Sequence, residues 1–289
     1  MGGYRYPLYF LFPALAVFLL FFMTPTAIGV YYSFTDWNIN ADEIKFIGWD
    51  NYAALFQEPR LKTALQNTLV FAACVTVLQN VVGLALALVM NEALKTKNVL
   101  RTIFFMPYVI APLVIGYIFR AIYHPEHGIV NRFLHGVGLS ALAQDWLNDP
   151  RFALFSIIMT DIWKVAGFAM VVYLAGLQFI PKDLTESASI DGANYRSRFR
   201  HIVFPLLAPA FTVNVLLSMI SSMKVFEMVM ALTEGGPGYT TEVFYTYIRS
   251  MFSSGEFGYA TAVNLVLFAL VTLVGVPVLM AMKKREVEM

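Results

Sequence analysis

Charge is scarce in this sequence. Asp, Glu, Lys and Arg make up 13% of 289 residues, about half the share of a soluble domain. So few charged side chains argue against a soluble globular enzyme. The two signs nearly cancel, to a formal net charge of +1, and no basic face for nucleic acid is implied. The single cysteine, Cys74, excludes an internal disulfide and a cysteine-built metal site. It sits in an apolar run and reads as a small buried hydrophobe. In place of charge the chain carries 58% hydrophobic and 15% aromatic residues, with a mean hydropathy of +0.65. That composition rules out a disordered chain and leaves a polytopic membrane protein.

A membrane-crossing helix needs about 20 mostly apolar residues. Six stretches qualify: 8–34, 66–90, 99–122, 152–178, 205–231 and 259–282. The runs are too long, and alternate too little, for barrel strands of about ten residues. The expectation is an all-α polytopic membrane protein of six transmembrane helices in a single domain, 1–289. The first stretch is too long for a signal-peptide core and reads as retained. With both termini on one side, that side sums to about +5 and the other to about −4, so the Lys/Arg bias puts both termini in the cytoplasm. No internal repeat is visible, which weakens an inverted-repeat transporter reading.

Most of the polar cytoplasmic sequence lies in one loop, residues 180–204. Pro181 suits a first helical position, and Lys182 to Ile190 contains no breaker. Gly192 can take the left-handed conformation that ends a helix, and Asn194 can cap a second one. The residues thus predict two short helices tethered at both ends to membrane spans. Such an element can be a docking knob or a solvated connector rich in positive-inside arginines.

The spacing of this loop resembles a known pattern. Glu186-Ser187-Ala188, three residues, Gly192, nine residues, then Ile202-Val203-Phe204-Pro205 is similar to the EAA loop of binding-protein-dependent ABC importer permeases. The family pattern is Glu-Ala-Ala, three residues, Gly, nine residues, Ile-x-Leu-Pro. Ser187 and Phe204 depart from it. Ala175 to Pro181, Ile190-Asp191-Gly192-Ala193, and Leu232-Thr233-Glu234-Gly235-Gly236-Pro237-Gly238 look like the carbohydrate-uptake branch, the maltose-type sugar permeases. By residues alone, the last of these is equally a plain tight turn. The resemblance implies a type I importer permease fold in the inner (plasma) membrane of a prokaryote. It implies a non-catalytic subunit that pairs with a second permease, receives a sugar from an external solute-binding protein, and is driven by a cytoplasmic ATPase dimer. Glu186, Ser187, Ala188, Asp191, Gly192 and Ala193 would then form the coupling contact. No Gly-x-x-x-x-Gly-Lys-Ser/Thr phosphate loop is present, so ATP and Mg are expected on the partner and no cofactor on this chain. Arg196, Arg198 and Arg200 suit acidic partner groups or anionic lipid equally well.

Polar residues at membrane depth usually face a cavity or another helix. Asp161 lies roughly 15 Å into the fourth span, near the midplane. Lys164 and Phe168 follow on the same face. On the fifth span Asn214, Ser218, Ser221 and Ser222 form a stripe at helical period. Hydroxyl partners beside an aromatic face are what a sugar requires, with Phe168 or Trp163 for stacking. The same serines can equally be a helix-packing surface, and Asp161–Lys164 a mutually neutralising pair. Lys224 and Glu227 are expected at the outer end of the fifth span, snorkelling. His124 and His127 have no third ligand nearby in sequence, and no metal is expected. Two rival cargoes or classes follow. A phosphorylated polyol would favour arginines along the path, and the spans hold only Arg101 and Arg120, near their ends. A self-contained secondary transporter could use Asp161 and Lys164 for ion coupling, but leaves the EAA spacing unexplained.

Overall fold

The computed structural model describes residues 11–92 and 95–284. Residues 8–10 of the first expected span lie outside the described residues, as do Arg5, Arg285, Glu286, Glu288 and Met289. The helices are α1 (Phe12–Tyr32), α2 (Asp50–Leu55), α3 (Pro59–Asn91), α4 (Lys97–Val109), α5 (Pro112–Ile122), α6 (Ile129–Gly136), α7 (Ala153–Gln178), α8 (Lys182–Ile190), α9 (Tyr195–Leu206), α10 (Ala208–Met223), α11 (Glu227–Leu232), α12 (Phe244–Ser253) and α13 (Phe257–Lys283). Among the described residues there is no strand, only an isolated bridge between Thr35 and Phe46.

Four expected spans are single long apolar helices, α1, α3, α7 and α13. At 1.5 Å per residue, the 33 residues of α3 reach about 50 Å, well beyond a hydrocarbon core of about 30 Å. Its first turns, with Arg60 and Lys62, therefore stand outside the apolar layer. The third and fifth expected spans are not straight. The third is the pair α4 and α5, bent by 99°. Pro112 causes this: it disfavours a helical residue before it, and Ile110 and Ala111 are extended, with ψ of 136° and 134°. The fifth bends by 68° between α9 and α10, where Pro209 offers no N–H to the carbonyl of Pro205. At its other end α10 stops at Met223, and a separate helix, α11, starts at Glu227.

Contacts divide the chain into two compact units, Met1–Pro59 with Tyr247–Ala269, and Arg60–Thr246 with Leu270–Met289. In the first, α1 buries none of its apolar stretch. Phe12, Leu20 and Phe21 are all exposed, the ordinary state for a helix solvated by hydrocarbon. Below it, buried Asn51 fastens the loop by donating to the carbonyls of Ser33 and Thr35 at 2.8 and 2.9 Å. Trp37 closes the same loop, stacking between Tyr32 and Phe257 and accepting from the Gly258 N–H at 2.8 Å.

The second unit holds the candidate site. Its core has an upper cluster that includes Phe71, Ile115, Ile157, Met228 and Val229, and a lower one that includes Ala87, Met170, Tyr173 and Leu207. Cys74 packs partly buried against the upper cluster. Helices α4 and α7 pack backbone to backbone because residue 167 is glycine: a Cβ there would strike the Phe104 carbonyl. Gly116 serves α5 and α11 likewise, against Ala231. The loop after α11 is a built structure rather than a plain turn. Glu234 and Tyr239 have positive φ, and Thr241 Oγ1 donates to the Gly236 carbonyl at 2.6 Å. Arg60 holds buried Glu242 bidentately, at 2.7 and 2.6 Å, and its guanidinium lies 3.9 Å above the Tyr239 ring.

Candidate functional site

Six of the seven expected path residues meet at one cavity. Asp161, Lys164 and Phe168 on α7 and Ser218, Ser221 and Ser222 on α10 line a space of about 330 Å³, at the lower end of the range for small-molecule sites. Asn214 does not line it. That residue is 1% exposed, one turn away, and its Nδ2 donates to the Ala169 carbonyl at 3.1 Å. It staples α10 to α7 through that bond, while its buried Oδ1 has no hydrogen-bond partner. Trp163 also points elsewhere, against Phe119.

The cavity brings in residues that the sequence did not mark. Tyr108 stacks on Phe168 with centroids 4.7 Å apart and planes 21° from parallel, and Lys164 Nζ lies 5.1 Å from the Tyr108 centroid. Gln79 reaches the cavity from α3. Lys224 and Glu227, expected to snorkel at a span end, also line it. Lys224 caps the end of α10 and Glu227 opens α11, across the break between the two helices. A lone amide within an apolar run was a readable signal for Gln79. No glycine or proline marks the break at Lys224.

The resulting wall has two carboxylates and two ammonium groups. Asp161 interacts electrostatically with Lys164 and Glu227, yet among the described residues no ion pair within 4.0 Å involves any of these four. Asp161 and Lys164 are thus not locked as a closed pair, and their hydrogen-bonding capacity remains available to a guest. The Ser218 hydroxyl donates to the Val215 carbonyl at 3.0 Å and Ser221 to the Leu217 carbonyl at 2.6 Å. Their protons are committed to the helix backbone, which leaves oxygen lone pairs as acceptors. Ser218 already accepts from Asn80 Nδ2 at 3.0 Å, so Ser221 is the freer of the two. The cavity therefore offers charged donors, charged and neutral acceptors and a stacked aromatic face.

The loop that follows α7 folds as its residues predict. Helix α8 spans Lys182–Ile190, with Pro181 one position earlier than expected, as its N-cap. Gly192 has φ +83°, and the Ala193 N–H donates to the Ala188 carbonyl at 2.9 Å, closing a Schellman turn. Asn194 Oδ1 accepts from the Ser197 N–H at 2.9 Å and starts α9. Nothing on α8 is buried. Glu186, Ser187, Asp191 and Gly192 are exposed, Ala188 and Ala193 half-buried, and the apolar Ile190 is 87% exposed. Phe199, Phe204 and Phe211 then run from α9 to α10 at 6.0 and 5.8 Å, and Phe211 meets Tyr173 of α7 at 6.1 Å.

Fold and cavity define a polytopic helical membrane protein with a polar cavity among apolar helices and an exposed polar loop helix. Residues 79–283 match the family model described as binding-protein-dependent transport system inner membrane component. The chain belongs to this family, the inner-membrane permeases of ABC transporters. It is 34% identical over 281 residues to the probable starch degradation products transport system permease protein AmyD of Thermoanaerobacterium thermosulfurigenes, covering 97% of this chain and 94% of the relative. It is 32% identical over 260 residues to the trehalose/maltose transport system permease protein MalF of Thermococcus litoralis, covering 90% and 87%. Among solved structures it resembles a chain of a bacterial ABC transporter that imports the acidic polysaccharide alginate, with TM-score 0.83, 26% identity, and coverage of 95% and 94%. A structure of a bacterial alginate transporter in complex with an alginate pentasaccharide-bound periplasmic protein gives TM-score 0.80, 26% identity, and coverage of 94% and 91%.

Proposed function

We propose that this chain is one of two permease subunits of an ATP-driven importer for a sugar or oligosaccharide, delivered by an external solute-binding protein. The observation that carries the reading is the cavity on α7 and α10. It is charge-balanced, rich in acceptors and carries a stacked aromatic pair, which suits a neutral polyhydroxylated solute better than a polyanion. The similarity to permeases named for starch products and for trehalose and maltose supports the same cargo class. The two helices that frame the cavity also flank the exposed knob, so a force on the knob reaches the cavity walls through α7 and α10. Glu186, Ser187, Ala188, Asp191, Gly192 and Ala193 dock a cytoplasmic ATPase dimer. Nucleotide and Mg belong to that partner, and this chain performs no chemistry. Asp161, Lys164, Phe168, Ser218, Ser221 and Ser222 contact the solute, joined by Tyr108, Gln79, Lys224 and Glu227.

The test is uptake of labelled glucose oligomers by proteoliposomes holding the complete transporter and its binding protein. Asp161→Asn removes one charge and its strongest acceptors while keeping shape. It should lower ATP-driven uptake about tenfold, the effect of losing one charge-assisted hydrogen bond, with assembly and basal hydrolysis retained. Wild-type uptake by Asp161→Asn removes that residue from the path. Gradient-driven uptake by this chain alone, without ATPase, overturns the importer reading in favour of a secondary transporter.

A further inference from the structure

A second cavity, of about 640 Å³, lies on the knob side of the same unit. It is bounded by the last turn of α3, the first turn of α4, the end of α7 and the inner faces of α8 and α9. Four cations line it, Lys97, Arg101, Lys182 and Arg198, against one carboxylate among the described lining residues, Glu92. None of the four makes an ion pair within 4.0 Å with a described carboxylate.

The bland account is that these cations neutralise the carbonyl ends of α3 and α7. It explains one bond: Arg101 Nη2 donates to the Met90 carbonyl at 2.8 Å. It leaves Arg101 Nε, which is fully buried and has no acceptor. A buried N–H of a charged group without a partner is destabilising unless a ligand or water supplies one. The back wall is apolar, with Leu88, Leu177 and Val203. Because α3 and α7 cross the membrane and end here, the cavity sits where hydrocarbon gives way to headgroups.

We propose that this cavity binds a phosphate-bearing anion between the facing ends of α3 and α4 and the knob, with Arg101 and Arg198 as its forked donors and Lys97 and Lys182 as point charges. Guanidinium groups suit phosphate oxygens through paired N–H bonds, and ammonium groups complete the neutralisation. The source is the headgroup of an anionic phospholipid or free phosphate; the chemistry of recognition is shared. Lys182 opens α8 and Arg198 lies on α9, so an occupied cavity would tie the knob to α3 and α4 and fix its seat before any partner docks. Of the three loop arginines, Arg198 lines the cavity, while Arg196 and Arg200 do not.

Native mass spectrometry of the complete transporter, released from nanodiscs of equal phosphatidylglycerol and phosphatidylcholine, tests this. Phosphatidylglycerol should be retained over phosphatidylcholine, and Arg101→Gln with Arg198→Gln should cut retention by about tenfold per cation removed. Arg196→Gln with Arg200→Gln should leave it within about twofold. Should the first pair fail to assemble, Lys97→Gln with Lys182→Gln, both near the surface, replaces it and should show the same loss. Inorganic phosphate is titrated in phosphatidylcholine-only discs. Retained phosphatidylglycerol that phosphate does not displace assigns the site to lipid; thermal protection by phosphate that is lost in the same variants assigns it to the free anion. Equal retention of both lipids with no phosphate protection overturns the proposal. So does equal loss with Arg196→Gln and Arg200→Gln, which would mean bulk surface charge.

Discussion

At the scale of single residues, the polar side chains inside the apolar core sort into two kinds. Asp161, Lys164 and Ser221 keep bonding capacity turned into a cavity. Asn80 and Tyr173 use theirs on neighbouring helices, and Asn214 uses its Nδ2 on α7 while its buried Oδ1 stays unpartnered. The Tyr173 hydroxyl donates to Asn80 Oδ1 at 2.5 Å, Asn80 Nδ2 donates to Ser218 Oγ at 3.0 Å, and Asn214 lies beside the Tyr173 hydroxyl. Tyr173→Phe strands the Asn80 oxygen in a dry environment. It should lower stability by about 0.5–2 kcal/mol, the range for interhelical bonds in membranes, read as a fall in the thermal midpoint of the detergent-purified complex. Asn214→Ala should act in the same direction but more weakly, because the Ala169 carbonyl keeps its helical partner. Neither should move the KM for solute; a KM shift at unchanged midpoint would place this network on the path instead. The helical period of Asn214, Ser218, Ser221 and Ser222 was legible in the sequence, but period alone does not say where along one face a cavity ends. That end is set by α7, a neighbour roughly fifty residues away in sequence.

At the scale of elements, local rules carried the knob and one break, and failed at the other. Helix α8, the left-handed Gly192 and the Asn194 cap follow from residues within a turn of one another, so sequence suffices. The bend at Ile110–Ala111 had a readable signal, since Pro112 disfavours a helical residue before it. The stop at Lys224 had none, for no local breaker marks it, and this hid Lys224 and Glu227 from the site. The knob makes a clean prediction. A Cβ at Gly192 meets nothing within 4 Å, but φ +83° costs another residue about 1–2 kcal/mol. Gly192→Asp should therefore leave the membrane helices folded, with an unchanged circular dichroism spectrum and at most a slight fall in thermal midpoint. Uptake should drop more than tenfold if the exposed Gly192 turn docks the ATPase as proposed, because the carboxylate and the distorted turn would sit on that contact. Glu186→Lys should do the same more weakly. Retained uptake in both would remove the knob from coupling.

At the scale of the whole molecule, the hydrophobic runs marked the six apolar stretches, because a bilayer sets a minimum length for each, and the structure resolves them into four long helices and two bent pairs. Orientation rests on a different physical quantity, the placement of Lys and Arg. The positive excess lies on the side of Lys95, Lys182, Arg196, Arg198, Arg200 and Lys283, and the acidic excess on the side of Asp36, Asp50, Glu234 and Glu242. Asn194 in the knob loop and Gly236 in the loop after α11 stand on opposite sides by this count. Each can report its side through a single cysteine, since the native Cys74 can be replaced by alanine at modest packing cost. In intact cells an impermeant thiol reagent should label Gly236→Cys and spare Asn194→Cys until the membrane is opened. The knob could not then meet anything outside the cell, and a cytoplasmic ATPase would be within its reach. Labelling in the reverse order would turn the molecule over. It would also place the knob among external proteins, where no ATP-driven motor could pull on α7 and α10.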